Sequence, residues 1–262
     1  MKIMVLVKQV PDTWGERTLD LTTGWVDRAA TDRVIDEIGE RALEVALSRR
    51  DANKGTEVVV VTMGPAECTA ALRKALSMGA DSAIHVLDDA LAGADLGRTA
   101  RAIAAAVSGT GFDLIVAGNE STDGRGGVLP AMVAELLRLP HLGSLDSVEL
   151  TDSTVGGLRS TEHGTATVHA ALPAIVSITE SLPEARFPSF KGILTAKKKP
   201  ISQLSLADLG STFAQTPGTV IRQATAKPPR TAGTITVDSG TAAAELAEFL
   251  IAARLVPSPP TR

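Results

Sequence analysis

The segment at residues 118–137, GNESTDGRGGVLPAMVAELL, combines residue types that bind anionic ligands. Acidic, hydroxyl-bearing and glycine residues and one arginine lie between a strand-like run, DLIVAG, and a helix-like run, AMVAELL. Glycines let backbone N–H groups approach a phosphate, and the N-terminus of a helix attracts negative charge. The segment contains neither G-x-G-x-x-G nor the Lys-Ser/Thr pair of a P-loop. An ordinary surface loop with an Asx turn therefore explains these residues as well as a phosphate loop does.

Two further connections strengthen the ligand-binding interpretation. Within the segment, Arg125 is expected to contact an anion, and Ser121, Thr122 and Asp123 are expected to bind a ribose or cap the turn. The connections KQVPD, after the first predicted strand, and TMGPAEC, after the second, lie at the same edge of a doubly wound sheet. Three loops at one carboxyl edge favour a nucleotide cleft.

The chain offers little chemistry for catalysis by side chains. No clustered acid or cysteine accompanies His163 or His169, and His85 is expected to be a hydrogen-bonded core residue. The sequence motifs of serine hydrolases, zinc proteases and β-lactamases do not occur. The single cysteine, Cys68, excludes an internal disulfide and a cysteine-based zinc site, and we expect it to be buried. We therefore expect no catalytic residue and no metal.

Composition indicates a folded protein that binds neither nucleic acid nor the membrane interior. Hydrophobic residues make up 44% of the 262 residues, which supports a packed core, whereas aromatic residues make up 3% and offer few stacking surfaces. A net charge of -4 gives no electrostatic reason to attract DNA or RNA. The first apolar run is too short for a signal peptide or a membrane span, so a soluble, cytoplasmic protein is expected.

Alternating strand and helix patterns predict an α/β fold with a doubly wound, mostly parallel sheet of the adenine-nucleotide-binding type. Wholly apolar runs indicate strands buried on both faces, and apolar residues at helical spacing indicate the helices between them. The predicted strands are residues 3–7, 58–62, 82–87 and 113–117. The predicted helices are residues 32–50, 66–79, 95–108 and 130–138.

The pattern changes after Pro140. Short alternating runs predict a small antiparallel meander at residues 147–150, 154–159 and 165–170. Residues 174–179 are apolar again, as in a strand that rejoins the main sheet. Periodicity is then lost until a final helix at residues 241–253. We therefore predict an α/β nucleotide-binding domain at residues 1–180 and, at residues 181–262, an extended C-terminal arm that packs on something else.

The segment RFPSFKGILTAKKK predicts a partner contact within this arm. Phe187 and Phe190 flank a Pro-Ser pair, and an exposed apolar residue in a stiff loop is typical of a partner anchor. On the residues alone, we expect Phe187 in the core and Phe190 against a partner. The basic run at residues 197–199 is expected to be a solvated face.

Taken in order and spacing, seven segments resemble the beta subunit of electron-transfer flavoproteins over nearly the full chain. They are VLVKQVPD, DEIGERALEVAL, MGPAECTAALRKALSMGAD, DLIVAGNESTDGRGGVLPAMVAELLRLP, LPAIVSITE, RFPSFKGILTAKKK and TAG at residues 231–233. The resemblance implies an electron carrier rather than an enzyme, with FAD held at the interface with an alpha subunit. It also implies a structural AMP, or a second FAD, in this chain. Electrons would pass from acyl-CoA or related dehydrogenases, in fatty acid oxidation, to a membrane quinone oxidoreductase or another acceptor.

The resemblance also implies that residues 181–262 hold a recognition loop and an extended C-terminal arm that packs on the partner subunit, and it assigns individual residues. It places the nucleotide pocket at Leu6, Lys8, Asp36, Glu37, Met63, Gly64, Ala66, Asn119, Ser121, Thr122, Asp123, Gly124, Arg125, Gly126, Gly127, Val128 and Leu129. It places recognition of the dehydrogenase at residues 183–194, through Phe187, Phe190, Lys191, Ile193 and Leu194. Phe190 stands where the family carries the leucine that inserts into the dehydrogenase.

Several positions depart from the family pattern. Many members have Asn-Pro at the position of residues 36–37 and Gln-Thr-Gly at the position of residues 128–130, so contacts with adenine and phosphate are expected to differ. Ser160 stands where a glutamate usually positions the mobile FAD domain. The resemblance therefore implies a domain latch that lacks this carboxylate.

Two other functions fit parts of the sequence. A stand-alone ATP- or AMP-binding protein of the universal-stress type would share the three loops, but it leaves the chain after residue 181 unexplained. A paralogue with impaired electron transfer would keep the heterodimer and account for Ser160. We prefer the electron carrier, because a change elsewhere can compensate for Ser160.

Overall fold

The computed structural model describes residues 1–210, 218–230 and 232–256. Residues 211–217, 231 and 257–262 lie outside the described residues, and with them Thr231 of the TAG segment and the end of the predicted arm. The chain divides into two units, Met1–Ala224 and Thr225–Arg262. The domain boundary at residue 180 stays a prediction.

Twelve strands and six helices form within the described residues. The strands are β1 (Lys2–Leu6), β2 (Gln9–Pro11), β3 (Arg33–Ile35), β4 (Glu57–Met63), β5 (Ser82–Val86), β6 (Leu114–Gly118), β7 (His141–Leu145), β8 (Glu149–Leu150), β9 (Thr154–Thr161), β10 (Gly164–Ala171), β11 (Ala174–Ile178) and β12 (Ile201–Leu204). The helices are α1 (Glu37–Ala52), α2 (Thr69–Met78), α3 (Leu96–Val107), α4 (Leu129–Leu137), α5 (Phe190–Ala196) and α6 (Ala242–Ala252).

A seven-stranded parallel sheet forms the centre of the first unit, in the order β12-β5-β4-β1-β6-β11-β7. Successive side chains of β1 point to opposite faces, so Val5 packs with α1 and α2, whereas Met4 and Leu6 pack with α3 and α4. Each large apolar side chain buried in this way contributes about 1.5–3 kcal/mol to stability. The predicted doubly wound α/β fold is confirmed.

The first helix begins later than predicted. Residues 33–35 pair with β2 as the antiparallel strand β3, so they do not belong to the helix that was predicted at 32–50. The Asp36 side chain then accepts the N–H of Ile38 and caps α1, which begins at Glu37. Helix α2 ends as expected at Gly79, whose φ of +146° suits glycine.

The antiparallel meander is confirmed, because β8, β9 and β10 form a separate three-stranded sheet. Strand β11 rejoins the main sheet between β6 and β7, as the apolar run at 174–179 indicated.

The chain beyond residue 181 holds two elements that the sequence did not reveal. Helix α5 has seven residues, too few to show a helical period, and β12 is a half-exposed edge strand beside β5. In the second unit, α6 agrees with the predicted helix at 241–253, and none of its residues is buried.

Candidate functional site

The three predicted loops meet at the carboxyl edge of the sheet, where β1 lies between β4 and β6. Lys8, directly after β1, donates from Nζ to Ser121 Oγ at 3.0 Å and to Asp123 Oδ1 at 2.7 Å. Gln9 donates from Nε2 to the carbonyl of Glu67, in the connection after β4, at 3.1 Å. The connection after the central strand therefore contacts both neighbouring loops, at the position where ligands of open α/β sheets bind.

Asp123 holds two cations at this edge. Its side chain is 1% exposed and pairs with Lys8 Nζ and, through Oδ2, with Arg28 Nη2, each at 2.7 Å. Burial acts to raise the pKa of Asp123, but the hydrogen bonds from Lys8 and Ser121 and the charges of Lys8 and Arg28 outweigh it. The pKa of Asp123 consequently lies well below its ordinary value of 3.8, and the carboxylate is charged at neutral pH.

Arg17 and Arg28 reach the loop from the connection between β2 and β3, and the sequence analysis missed both. Arg17 donates to the carbonyl of Thr122, to Thr122 Oγ1 at 3.0 Å and to the carbonyl of Pro11 at 2.8 Å. The only signal in the sequence is that two arginines occur in a polar connection after the first strand. These contacts fix the connection at 12–32 against the loop at 119–129.

Asp36 connects the same loop to helix α1. While its Oδ1 caps the helix, its Oδ2 accepts the N–H of Thr122 at 2.6 Å and the hydroxyl of Thr122 at 2.7 Å. Asp36 is buried, whereas its neighbour Glu37 is exposed in the first turn of α1. Of the acidic pair at 36–37, only Asp36 is thus in contact with the loop.

The open part of the loop is residues 124–128, all of which are exposed. Arg125 and Gly127 have φ values of +48° and +68°, and a Cβ added at Gly127 would meet no atom within 4 Å. At Gly127 glycine is therefore favoured by the backbone conformation and not by crowding. Helix α4 follows, and Val128 provides no side-chain cap. Pro130 has no N–H and the N–H of Met132 donates to the Val128 carbonyl, so the N–H groups of Leu129 and Ala131 and the positive dipole end face this stretch.

Three polar groups at the site have bonding capacity left within the described residues, namely Arg17 Nε, which is buried without a partner, Asn119 Oδ1 and Lys8 Nζ. Asn119 Oδ1 is buried and has no hydrogen-bond partner within the described part of the chain, an arrangement that costs free energy unless a ligand donates to it. Lys8 Nζ has three N–H donors and uses two of them. Arg125 is turned toward Glu120, with its Nε 3.2 Å from Oε1, so contact of Arg125 with an anion stays a prediction.

The connection after β4 has a mainly structural arrangement. Met63 packs against the core, Ala66 is exposed, and the carbonyl of Gly64 pairs with His85 Nε2 at 2.9 Å, which confirms His85 as a hydrogen-bonded core residue. Cys68 is buried as expected, and burial raises the pKa of its thiol. A Cβ at Gly64 would lie 2.5 Å from the Cys68 sulfur, so this close approach requires glycine.

An apolar face made of Phe187, Phe190, Ile193 and Leu194 is exposed around helix α5. Lys191 is also exposed beside it. Phe187 is 92% exposed and Phe190 is 79% exposed, which are unusual values for phenylalanine. The arrangement brings together all five residues assigned to partner recognition, and such a cluster is typical of an interaction surface.

The expectation that Phe187 lies in the core is wrong. The neighbouring side chain of Arg186 lies against α1, where it pairs with Glu44, and Phe187 is left facing solvent. Hydrophobicity alone does not show which of two adjacent side chains faces inward in an irregular segment.

The basic run at residues 197–199 is solvated only in part. Lys199 Nζ donates to three carbonyl oxygens at the C-terminus of α2, those of Leu76 (2.9 Å), Gly79 (3.2 Å) and Ala80 (2.6 Å). Burial lowers the pKa of Lys199. The other two lysines are exposed, so the predicted solvated face holds for them and is wrong for Lys199.

Across the described ranges, no group of three or more His, Cys, Asp or Glu side chains is placed to hold a metal ion. None of the described helices is both long and apolar enough to cross a membrane.

Comparison with known proteins matches the chain to one family. The family model described as electron transfer flavoprotein domain covers residues 23–209. The electron transfer flavoprotein subunit beta of Mycobacterium leprae (strain TN) is 46% identical over 265 residues, covering 97% of this chain and 99% of the relative. The chain belongs to the electron transfer flavoprotein beta subunit family. The protein of the same description from Mycobacterium tuberculosis (strain ATCC 25618 / H37Rv) is 46% identical over 264 residues, with the same coverage.

A more distant relative belongs to a larger assembly. The caffeyl-CoA reductase-Etf complex subunit CarD of Acetobacterium woodii is 34% identical over 211 residues, or 80% of each chain. The resemblance stated from the sequence is thus confirmed. Membership of the electron transfer flavoprotein family implies that a flavin takes part in the complex and that an alpha subunit is the partner chain.

Proposed function

We propose that this chain is the beta subunit of a heterodimeric electron carrier, which holds FAD at its interface with the alpha subunit. When bound, FAD supplies the electron transfer, and this chain contributes binding surfaces and a nucleotide site. Family membership supports the proposal. The observation that carries the nucleotide site is the convergence of Lys8, Arg17 and Arg28 on the loop at 119–129, whose open residues lead into an uncapped helix.

The nucleotide of this chain is proposed to be AMP in a structural role, or a second FAD. The free donor of Lys8 and the N–H groups at the start of α4 would bind its phosphate. Asn119 Oδ1, which is buried without a partner, would accept a hydrogen bond from a nucleotide amino or hydroxyl group. Asp36 and Asp123 would act indirectly, because both are occupied in positioning the loop.

The apolar face at Phe187, Phe190, Ile193 and Leu194 is proposed to dock an acyl-CoA or related dehydrogenase that takes part in fatty acid oxidation. Its exposure supports this role. Electrons would leave for a membrane quinone oxidoreductase or another acceptor. The arm after residue 181 is proposed to bind the alpha subunit, and the complex is proposed to lie in the cytoplasm. None of the residues of helix α6 is buried, which leaves its apolar side chains available for such a contact.

The experiment is co-expression of this chain with its alpha subunit, followed by an absorbance spectrum of the purified complex. The proposal predicts a stable heterodimer with visible flavin bands that bleach when a dehydrogenase and its substrate are added. A monomer that binds ATP or AMP without flavin, whether or not an alpha subunit is present, would instead favour the stand-alone nucleotide-binding protein.

A further inference from the structure

Arg186 connects the segment that bears the apolar face to helix α1. Its Nε and Nη2 donate to the two carboxylate oxygens of Glu44 at 2.8 and 2.7 Å, and its backbone N–H donates to Glu44 Oε2 at 3.0 Å. Its Nη1 donates to Asp51 Oδ2 at 2.6 Å. The planar guanidinium thus uses its fork geometry on two carboxylates of one helix.

On the N-terminal side of α5, Ala185 also packs on the core, but Arg186 makes the side-chain hydrogen bonds of this segment within the described chain. Leu182 is buried and its carbonyl accepts from Arg41, but the hydrogen bonds that residues 183–188 donate within the described chain all come from Arg186. Phe187 follows Arg186 directly, and Phe190 is the first residue of α5. Phe187 is therefore positioned from the Arg186 side, and Phe190 stands where this segment meets α5.

The C-terminal side of α5 is held separately. Arg73 Nη1 on α2 donates to the carbonyls of Ala196 and Lys199 at 2.7 and 2.8 Å. Gly192 packs so closely on α2 that an added Cβ would lie 2.1 Å from the carbonyl oxygen of Ser77. Gly192 lies in the first turn of α5, where the Ser189 side chain also caps the helix, so α5 is held on α2 at both ends and Arg186 fixes the segment that precedes it.

Arg186, Glu44 and Asp51 all carry their charges at neutral pH. Burial acts to raise the pKa of Glu44, but its hydrogen bonds with Arg186 and its charge attraction to Arg186 lower it below the ordinary range. The hydrogen bond from Arg186 likewise lowers the pKa of Asp51, and the bond to Glu44 raises the pKa of Arg186. All three groups are consequently charged whenever the protein is at physiological pH.

We propose that Arg186 is a positioning residue for dehydrogenase docking, holding Phe187 and Phe190 in one arrangement before the partner arrives. The proposal rests on the proposed function of the apolar face. A surface ordered in advance binds more tightly, because the complex does not bear the entropy cost of ordering it. Arg186 would act through Glu44 and Asp51 and need not touch the partner.

The test uses the heterodimer and three variants of this chain: Arg186→Gln, Glu44→Gln and Arg186→Lys. Glu44 lies on α1, outside the apolar face, so an effect of Glu44→Gln reports positioning and not lost contact. Arg49→Gln is the matched control, because Arg49 is also on α1 and pairs with Asp152, away from α5. Two quantities are measured: the KM and kcat for the heterodimer with an acyl-CoA dehydrogenase, and amide hydrogen exchange at residues 187–195.

We expect Arg186→Gln and Glu44→Gln to raise KM about three- to tenfold, because one or two side chains would then have to be ordered when the dehydrogenase docks. The kcat should stay within about twofold of the wild-type value. Exchange at 187–195 should quicken in both variants. Arg186→Lys should lie between them and the wild type, because lysine keeps the charge but loses the fork. Arg49→Gln should change neither quantity.

Unchanged exchange and unchanged KM in Arg186→Gln and Glu44→Gln would overturn the positioning role. A Phe190→Ala variant separates this failure from failure of the docking function. If Phe190→Ala raises KM while the Arg186 variants do not, the apolar face docks the dehydrogenase without help from Arg186. If Phe190→Ala leaves KM unchanged, the docking function is refuted, and the role of Arg186 in docking falls with it.

Discussion

Asp123→Asn removes the carboxylate that Lys8 and Arg28 share and keeps nearly the same shape. In the wild-type chain both cations lie 2.7 Å from this carboxylate. An amide still accepts one hydrogen bond through its oxygen, but its NH₂ group faces a cation that also donates. We expect the loop at 119–129 to lose its central contact and the protein to become less stable.

The size of the effect follows from the two bonds. A hydrogen bond to a charged group contributes about 1.5–3 kcal/mol. The amide oxygen keeps a bond to one cation, and the bond to the other cation is lost. The Asp123 side chain is 1% exposed, but the side chains of Lys8 and Arg28 are 45% and 37% exposed. Water therefore weakens the attraction of these two cations to the carboxylate. We therefore expect a loss of about 2 kcal/mol in the free energy of unfolding.

The pH dependence has a defined sign. Because the pKa of Asp123 is lower in the folded state than its ordinary 3.8, the carboxylate contributes its full stability above that value. This contribution is lost as the pH falls through the folded pKa. The difference in stability between wild type and Asp123→Asn should thus stay constant near neutral pH and shrink as the pH falls below about 4.

The assay is urea unfolding of the heterodimer at one fixed protein concentration, at several pH values. Asp152→Asn is the control, because Asp152 pairs with Arg49 but is 94% exposed, and its loss should cost less than about 1 kcal/mol. The reasoning is refuted if Asp123→Asn matches this control at neutral pH, or if its difference from wild type does not depend on pH in the acid range.

Three further substitutions test the packing and the site. Gly192→Ala should lower stability by about 1–3 kcal/mol and reduce the thermal midpoint, because its Cβ would lie 2.1 Å from the Ser77 carbonyl oxygen. Lys199→Met should cost about 1–3 kcal/mol in urea unfolding, since three carbonyls lose their donor, whereas Lys198→Met should match the wild type. Lys8→Met should weaken binding of AMP about tenfold in calorimetry on the nucleotide-free heterodimer, and an unchanged affinity would contradict the assigned role.

The parallel sheet was predictable because its strands are apolar on both faces. Val58 and Val60 pack on one face and Val59 and Val61 on the other, so the whole run must be apolar. The carboxyl-edge location of the loops then followed from topology. The short elements were not predictable, since α5 has only seven residues, about two turns, which is shorter than the window over which helical periodicity can be recognised.

The contacts within the candidate site were less predictable than its location. The residue types in the loop at 119–129 indicated a polar binding segment. They did not indicate its partners Arg17 and Arg28, which are about 100 residues away in the chain. Their contacts with Thr122 and Asp123 arise only from packing of the connection at 12–32. Arg186 and Phe187 show the same dependence on distant residues. Arg186 turns inward and Phe187 outward because Arg186 pairs with Glu44, which lies on a helix distant in sequence.

The loop at 119–129 is proposed to bind a nucleotide of its own, apart from the FAD at the subunit interface. The most direct measurement is acid denaturation of the purified heterodimer, with the released nucleotides identified and counted per chain. We expect one FAD together with one AMP, or two FAD molecules, for each copy of this chain. Release of a single FAD and no other nucleotide would contradict it.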